Sequence, residues 1–259
     1  MEGVSPPLVE AVVRPQHASC SRRAAAWAER LGLPLRPTGA PVEGVVLEVG
    51  PQGLALRLGE GPAVTVVPRA LTHRRSGGRD LLLRAVGRIE ADDLIVDATA
   101  GLGADAFHLA ARGMRVHMLE RQPLVAALLE DALERAASGR AGEDARQAAA
   151  HLSLAAGDAR VRLDAIDPAP AVVLLDPMYP RAGKRALPNK GMALFRTLVG
   201  DDDDAAELLL VALRVARRRV AVKRPRRAAP LGAGAPAPSG SVMGTTTRYD
   251  LYAPRPPAT

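Results

Sequence analysis

The order of apolar and polar positions changes character near residue 80. Ahead of it, Ser19 to Arg30 has the spacing of a short helix and carries the one tryptophan, Trp27. Three short β-type runs follow: VVLEV from Val45, LALRL from Leu54 and AVTVV from Ala63. GPQG and GEGP separate them, and Gly with Pro at those points is turn chemistry. The pattern predicts a small α+β unit built on a β-meander. HRRSGGRD, His73 to Asp80, then makes a glycine-bearing basic joint.

Beyond the joint, helical and extended patterns alternate. DLLLRAVGRI has helical spacing and precedes the apolar run LIVDA, Leu94 to Ala98. A helix through Phe107 and Leu109 precedes the strand RVHML, Arg115 to Leu119. A long helix from Pro123 to about Ala137 starts on proline, which suits a first turn. LSLAA from Leu152 and AVVLL, Ala171 to Leu175, are the next strands. Helical DDAAELLLVALRVA leads into RRVAVKR, Arg218 to Arg224. AAPLGAGAPAPSG is a loop by composition, and SVMGTTTRYDLYAP reads as a final strand or hairpin. Strands alternating with helices predict βαβ units and an α/β, Rossmann-like, doubly wound and mostly parallel sheet. The expected division is therefore residues 1–79 for the small unit and joint, and 80–259 for the α/β domain.

Ligands of such sheets bind beyond the carboxyl ends of the strands. The first strand ends in D-A-T-A-G-L-G-A-D, Asp97 to Asp105, where Gly101 and Gly103 permit a tight turn before a helix. The second strand ends in Glu120, about 20 residues on, a place suited to holding both ribose hydroxyls of a nucleoside. The third is followed by Gly157 and Asp158, the fourth by Asp176. The glycine pattern fits a dinucleotide fingerprint as well as S-adenosylmethionine. Electrostatics separates the two. A pyrophosphate is disfavoured among Asp97, Asp105 and Asp158, whereas a sulfonium and an ammonium are favoured there.

Directly after AVVLL stands D-P-M-Y-P, Asp176 to Pro180. It resembles the (D/N/S)-P-P-(Y/F) loop of methyltransferases that act on exocyclic amines of bases. Such an amine is a poor nucleophile because its lone pair is delocalised into the ring. Acceptors from Asp176 and the Pro177 carbonyl can orient it, and Tyr179 can stack on a base taken out of its helix. With 2% aromatic residues in the chain, a tyrosine at a strand tip stands out.

Composition adds a partner. Lys plus Arg number 35 against 28 acids, a net +7, which suits a phosphate-rich surface. Basic runs flank the expected active face: Arg74, Arg75 and Arg79 in the joint, Arg181, Lys184 and Lys190 after DPMYP, and Lys223 and Arg224 after the fifth strand. They are candidate RNA-binding residues. A single cysteine, Cys20, excludes an internal disulfide and suits a reducing compartment. MEGVSPPLVE lacks signal-peptide character, and no apolar stretch reaches the roughly 20 residues a membrane span requires. A cytoplasmic protein with no membrane partner and no metal is expected.

DATAGLGADAF, MLERQPLVAALLEDAL, VVLLDPMYP, ALFRTLVG and VAVKRP together, with HRR before them and RYDLY after, resemble the ribosomal RNA small subunit methyltransferase J family over roughly residue 70 to the end. The resemblance implies a class I S-adenosylmethionine-dependent methyltransferase fold with a small N-terminal extension. It implies N2-methylation of one guanine in 16S ribosomal RNA, free or within the small subunit. Cofactor contacts carried over are Ala104, Asp105, Glu120, Arg121, Gly157, Asp158 and Asp176, beside Asp97, Gly101 and Gly103 of the glycine loop. Two positions depart from the family, which tends to have Arg at Ala104 and a Ser pair at Gly157-Asp158. The DPMYP chemistry alone does not separate guanine N2 from adenine N6. An NAD-dependent oxidoreductase would leave DPMYP without a role. A non-catalytic RNA-binding assembly factor would bind RNA without transferring methyl groups.

Overall fold

A computed structural model describes residues 11–68, 80–178, 194, 198, 204–232 and 234–254. Two sheets organise them. The smaller has three strands, β1 (Ala11–Pro15), β2 (Val45–Gly50) and β3 (Gly53–Leu58), in the order β1-β2-β3. Helix α1 (Ser21–Leu31) packs on it and stops at Gly32, whose left-handed backbone (φ 64°) suits glycine.

The expected meander is corrected in two respects. Strand β1, absent from the sequence reading, pairs parallel with β2, so the sheet is mixed. AVTVV is not a strand: only Val64 pairs, exchanging 2.8 Å backbone hydrogen bonds with Leu56. Pro62, two residues ahead of Val64, has no N–H to extend that ladder.

The larger sheet contains β4 (Leu94–Asp97), β5 (Arg115–Glu120), β6 (Leu152–Ala156), β7 (Val172–Leu175), β8 (Arg219–Pro225), β9 (Gly240–Met243) and β10 (Thr247–Tyr252). Their order is β6-β5-β4-β7-β8-β10-β9. The first five are parallel, while β10 runs antiparallel to β8 and to β9, so the C-terminal segment is a hairpin. Both faces are covered, which explains the unbroken apolar runs of β4 and β7. Ile95, Val172 and Leu174 face one core; Val96, Val173 and Leu175 face the other.

Helices α2 (Leu81–Val86), α3 (Ala104–Ala110), α4 (Pro123–Ala137), α5 (Glu143–Ala149), α6 (Ala159–Arg162) and α7 (Ala205–Val215) complete the layers. Asp80 caps α2 by accepting from the Leu82 and Leu83 N–H groups, and α4 begins on Pro123 as expected. The core facing α4 is continuous with the small sheet: Leu47, Leu54 and Leu56 share it with Leu128, Leu129 and Ala132. Asp131 of α4, 1% exposed, joins the sheets by accepting from Leu54 N at 3.0 Å, from Arg135 Nε at 2.8 Å and from Arg23 of α1. Among the described residues no helix is long and apolar enough to cross a membrane.

Candidate active site

The chain order reverses between β4 and β7. From β4 the sheet grows outward through β5 and β6, then resumes on the other side with β7 and β8. A crevice at the carboxyl ends is the expected consequence. A cavity of about 310 Å³ opens there, lined from β4, β5, β7, β8 and β10 and from the loops beyond them.

Its floor is the glycine loop. Gly101 (φ 54°) and Gly103 (φ 73°) both adopt the left-handed region that side chains disfavour. The loop is fastened from β5: one Glu120 oxygen accepts from Gly101 N and the other from Gln122 N, each at 2.8 Å. Glu120 is buried and borders the cavity, at the end of β5 where a ribose contact was expected. Gly103 does not border it. A β-carbon there would lie 2.8 Å from Leu129 Cδ2, so this glycine lets α3 pack on α4. Gly157 is likewise outside the lining, and a β-carbon on it would meet Arg162. Both adopt positive φ and pack closely against neighbouring side chains. Asp97, Gly101, Ala104, Asp105, Glu120, Arg121, Asp158 and Asp176 do line the cavity.

Charge is concentrated on one wall. Asp97, at the end of β4, is buried, and its carboxyl is pushed up to about 7. Burial is the main cause and the nearby Asp105 adds to it; the Thr99 N–H and Lys223 oppose the shift. Lys223 reaches in from β8, donating to Asp176 Oδ2 at 2.7 Å and to Asp105 Oδ2 at 3.1 Å. Burial pulls its ammonium down, but the charges of Asp176 and Asp105 more than offset this and hold it well above the ordinary lysine value. Tyr249, opposite Lys223 in the β8–β10 register, brings its hydroxyl to 3.4 Å from Asp105 Oδ2. Thr99 Oγ1 accepts from Asp176 N at 2.6 Å, so the β4 loop fixes the backbone where the D-P-M segment leaves β7.

A second charged network also borders the cavity. Asp158 caps α6 through Arg160 N and also takes the Arg160 guanidinium at 2.5 Å, which holds the Asp158 carboxyl below its usual value despite partial burial. Arg160 continues to Glu207 at 2.6 Å and Asp204 at 3.3 Å, and Arg121 meets Asp204 at 2.8 Å.

Of the expected catalytic residues, Asp176 and Pro177 line the cavity, with Met178 beside them. Tyr179 lies outside the described residues, as do Arg74, Arg75, Arg79, Arg181, Lys184 and Lys190. Of the expected RNA-binding residues, Lys223 and Arg224 are described. Strand alternation sends Lys223 into the cavity, while Arg224, 3% exposed, donates to the carbonyls of Ala229 and Pro230 and anchors that loop. Thr99, Arg160, Asp204 and Tyr249 were assigned no role from sequence. Only Thr99 and Tyr249 stood inside motifs that could have drawn attention to them.

Among the described residues, acids outnumber cations around the cavity: Asp97, Asp105, Glu120, Asp158, Asp176 and Asp204 against Arg121, Arg160 and Lys223. A buried carboxyl held up by its neighbours is stabilised in its charged form by an incoming cation. The donor set therefore fits a sulfonium and ammonium ligand, and opposes a pyrophosphate.

Comparison with known proteins agrees. A family model described as "Putative SAM-dependent methyltransferase" matches residues 27–254. Two proteins named ribosomal RNA small subunit methyltransferase J are similar to this chain. One, from Pseudomonas aeruginosa strain LESB58, is 47% identical over 245 residues, covering 91% of each chain. The other, from Thioalkalivibrio sulfidiphilus, is 47% identical over 243 residues, covering 89% of this chain and 92% of its own. A crystal structure described as a SAM-dependent methyltransferase from Neisseria gonorrhoeae superposes with a TM-score of 0.73 at 34% identity, covering 94% of this chain and 96% of that one.

Proposed function

The chain belongs to the SAM-dependent methyltransferase family, and from that premise we propose that it methylates the exocyclic N2 of a guanine in 16S ribosomal RNA. The observation that carries the reading is the placement of Asp176 and Pro177 at the end of β7, bordering the same cavity as the acid-rich glycine loop. The names of the two relatives support ribosomal RNA of the small subunit as the substrate. The net charge of +7 suits such a partner.

When bound, S-adenosylmethionine supplies a methyl group on a positively charged sulfur. Asp97, Asp105, Glu120 and Asp158 are the residues that would hold it, Glu120 at the ribose and the aspartates toward its positive groups. Asp176 then acts on the base. Its carboxylate accepts hydrogens of the amine, turning the nitrogen toward the methyl group, and the Pro177 carbonyl is the second acceptor. As the N–C bond forms and the methyl–sulfur bond breaks, the amine gains positive charge, which the same acceptors stabilise until one amine proton is lost through Asp176 to solvent. Positioning supplies most of the acceleration, because the methyl donor is already activated. Tyr179 follows as the stacking face, and the basic segments at 74–79 and 181–190 as phosphate contacts.

Asp176→Ala is expected to abolish transfer to small subunits while S-adenosylmethionine binding stays measurable by calorimetry. Wild-type turnover in that variant would overturn the role.

A further inference from the structure

Lys223 is a large unspent feature of the cavity. Its ammonium sits between two carboxylates, 2.7 Å from Asp176 Oδ2 and 3.1 Å from Asp105 Oδ2, on a side chain that is mostly buried. Burying a lysine is unfavourable unless it is paired, and here both partners point into the reaction cavity. We propose that Lys223 is the positioning residue that keeps Asp176 an ionised acceptor and aims it at the substrate amine, with Asp105 as its second anchor.

Among the described residues, the titratable groups that face Lys223 are Asp97 from β4, Asp105 from α3, Asp176 beyond β7 and Tyr249 from β10. Three carboxyls in one cavity repel, and like charges at short range favour taking up a proton. A protonated Asp176 would present an O–H where an acceptor is required, and the amine's hydrogens would lose their partner. A fixed cation at hydrogen-bond distance opposes that protonation. Register brings the two together: Leu175, the last residue of β7, pairs with Val222, which sets Asp176, the next residue, beside Lys223 of β8. On the far side, Lys223 stands opposite Tyr249.

The proposal rests on the amine-orienting reading of Asp176, and the test keeps the two apart. Lys223→Met and Lys223→Gln both remove the charge at similar length, and Lys223→Arg retains it. The measurement is kcat/KM for methyl transfer to unmethylated small subunits from pH 5.5 to 9. S-adenosylmethionine titration of each variant at each pH verifies that the cavity is folded. For Met and Gln, the acid limb is expected to move up by about one pH unit or more, the usual effect of removing an opposite charge in contact. The loss is expected to be greatest at the acid end of the range and to narrow toward pH 9. Lys223→Arg should keep the acid limb where the wild type has it. A loss of equal size at all pH values in Met and Gln would mean a merely structural lysine and overturn the proposal. So would an Arg variant displaced as far as the neutral ones. If Asp176→Ala turns over like the wild type, the underlying reading fails and takes the Lys223 proposal with it.

Discussion

Asp97 offers the sharpest physical test of the cavity. It closes β4, it is buried, and its hydrogen bond from Thr99 N is long, at 3.3 Å. Burial and the charge of Asp105 push its carboxyl from an ordinary 3.8 to about 7. At about 1.4 kcal/mol per pH unit, ionising it in the folded protein costs roughly 4 kcal/mol more than in the unfolded chain. The sign follows from proton counting. Between the two values the folded state holds a proton that the unfolded state has lost, so stability falls as pH rises across that window. Below about 4 the contribution is fully present; above about 7 it is lost and the curve levels. Asp97→Asn keeps the shape and removes the titration. Urea unfolding of both proteins from pH 5 to 8.5, without cofactor, gives the difference directly. The wild type should lose about 2–3 kcal/mol relative to the variant between pH 5 and 7.5. A difference that stays flat across that range would refute the reasoning, because other titrating groups are common to both proteins.

S-adenosylmethionine is positively charged where it would meet these aspartates, so its affinity for the wild type should rise between pH 6 and 8, and Asp97→Asn should flatten that rise; calorimetry across pH tests it, and a pH-independent wild-type affinity would count against the pairing. Glu120→Ala removes the acceptor of two backbone N–H groups, each hydrogen bond to a charged group being worth about 1.5–3 kcal/mol. Cofactor affinity should weaken by at least about tenfold in consequence, and an unchanged titration would contradict the role. Asp131→Ala strands Arg135 and the Leu54 N–H at the seam between the sheets. Unfolding free energy should drop by about 3 kcal/mol or more; a loss below about 1 kcal/mol would show that the seam does not depend on it.

Long, strongly patterned segments were legible in the sequence, and short or weakly patterned ones were not. The both-face burial of β4 and β7 left unbroken apolar runs, and α4 announced itself by Pro123 and a sustained apolar face. Helix α5, a seven-residue stretch that buries only Ala145 and Ala148, had no comparable signal. Strand β1 depends on a parallel partner more than thirty residues away, which no local pattern reveals. The loops at the strand ends were readable because acid and glycine residues there have few other uses. Lys223 and Arg224 were grouped as one basic run, but adjacent residues on a strand face opposite ways, and each is consumed by a different neighbour. Tyr249 reached the cavity through β10, the antiparallel strand inserted between β8 and β9. Its relation to Asp105, 144 residues earlier, is purely tertiary.

Labelled methyl from S-adenosylmethionine can be followed into small ribosomal subunits isolated from cells lacking this gene, with the product nucleoside identified by mass spectrometry. N2-methylguanosine is expected at one site of 16S ribosomal RNA, and none with Asp176→Ala. Label in a different nucleoside, or no label from a wild-type enzyme that binds the cofactor, would contradict it.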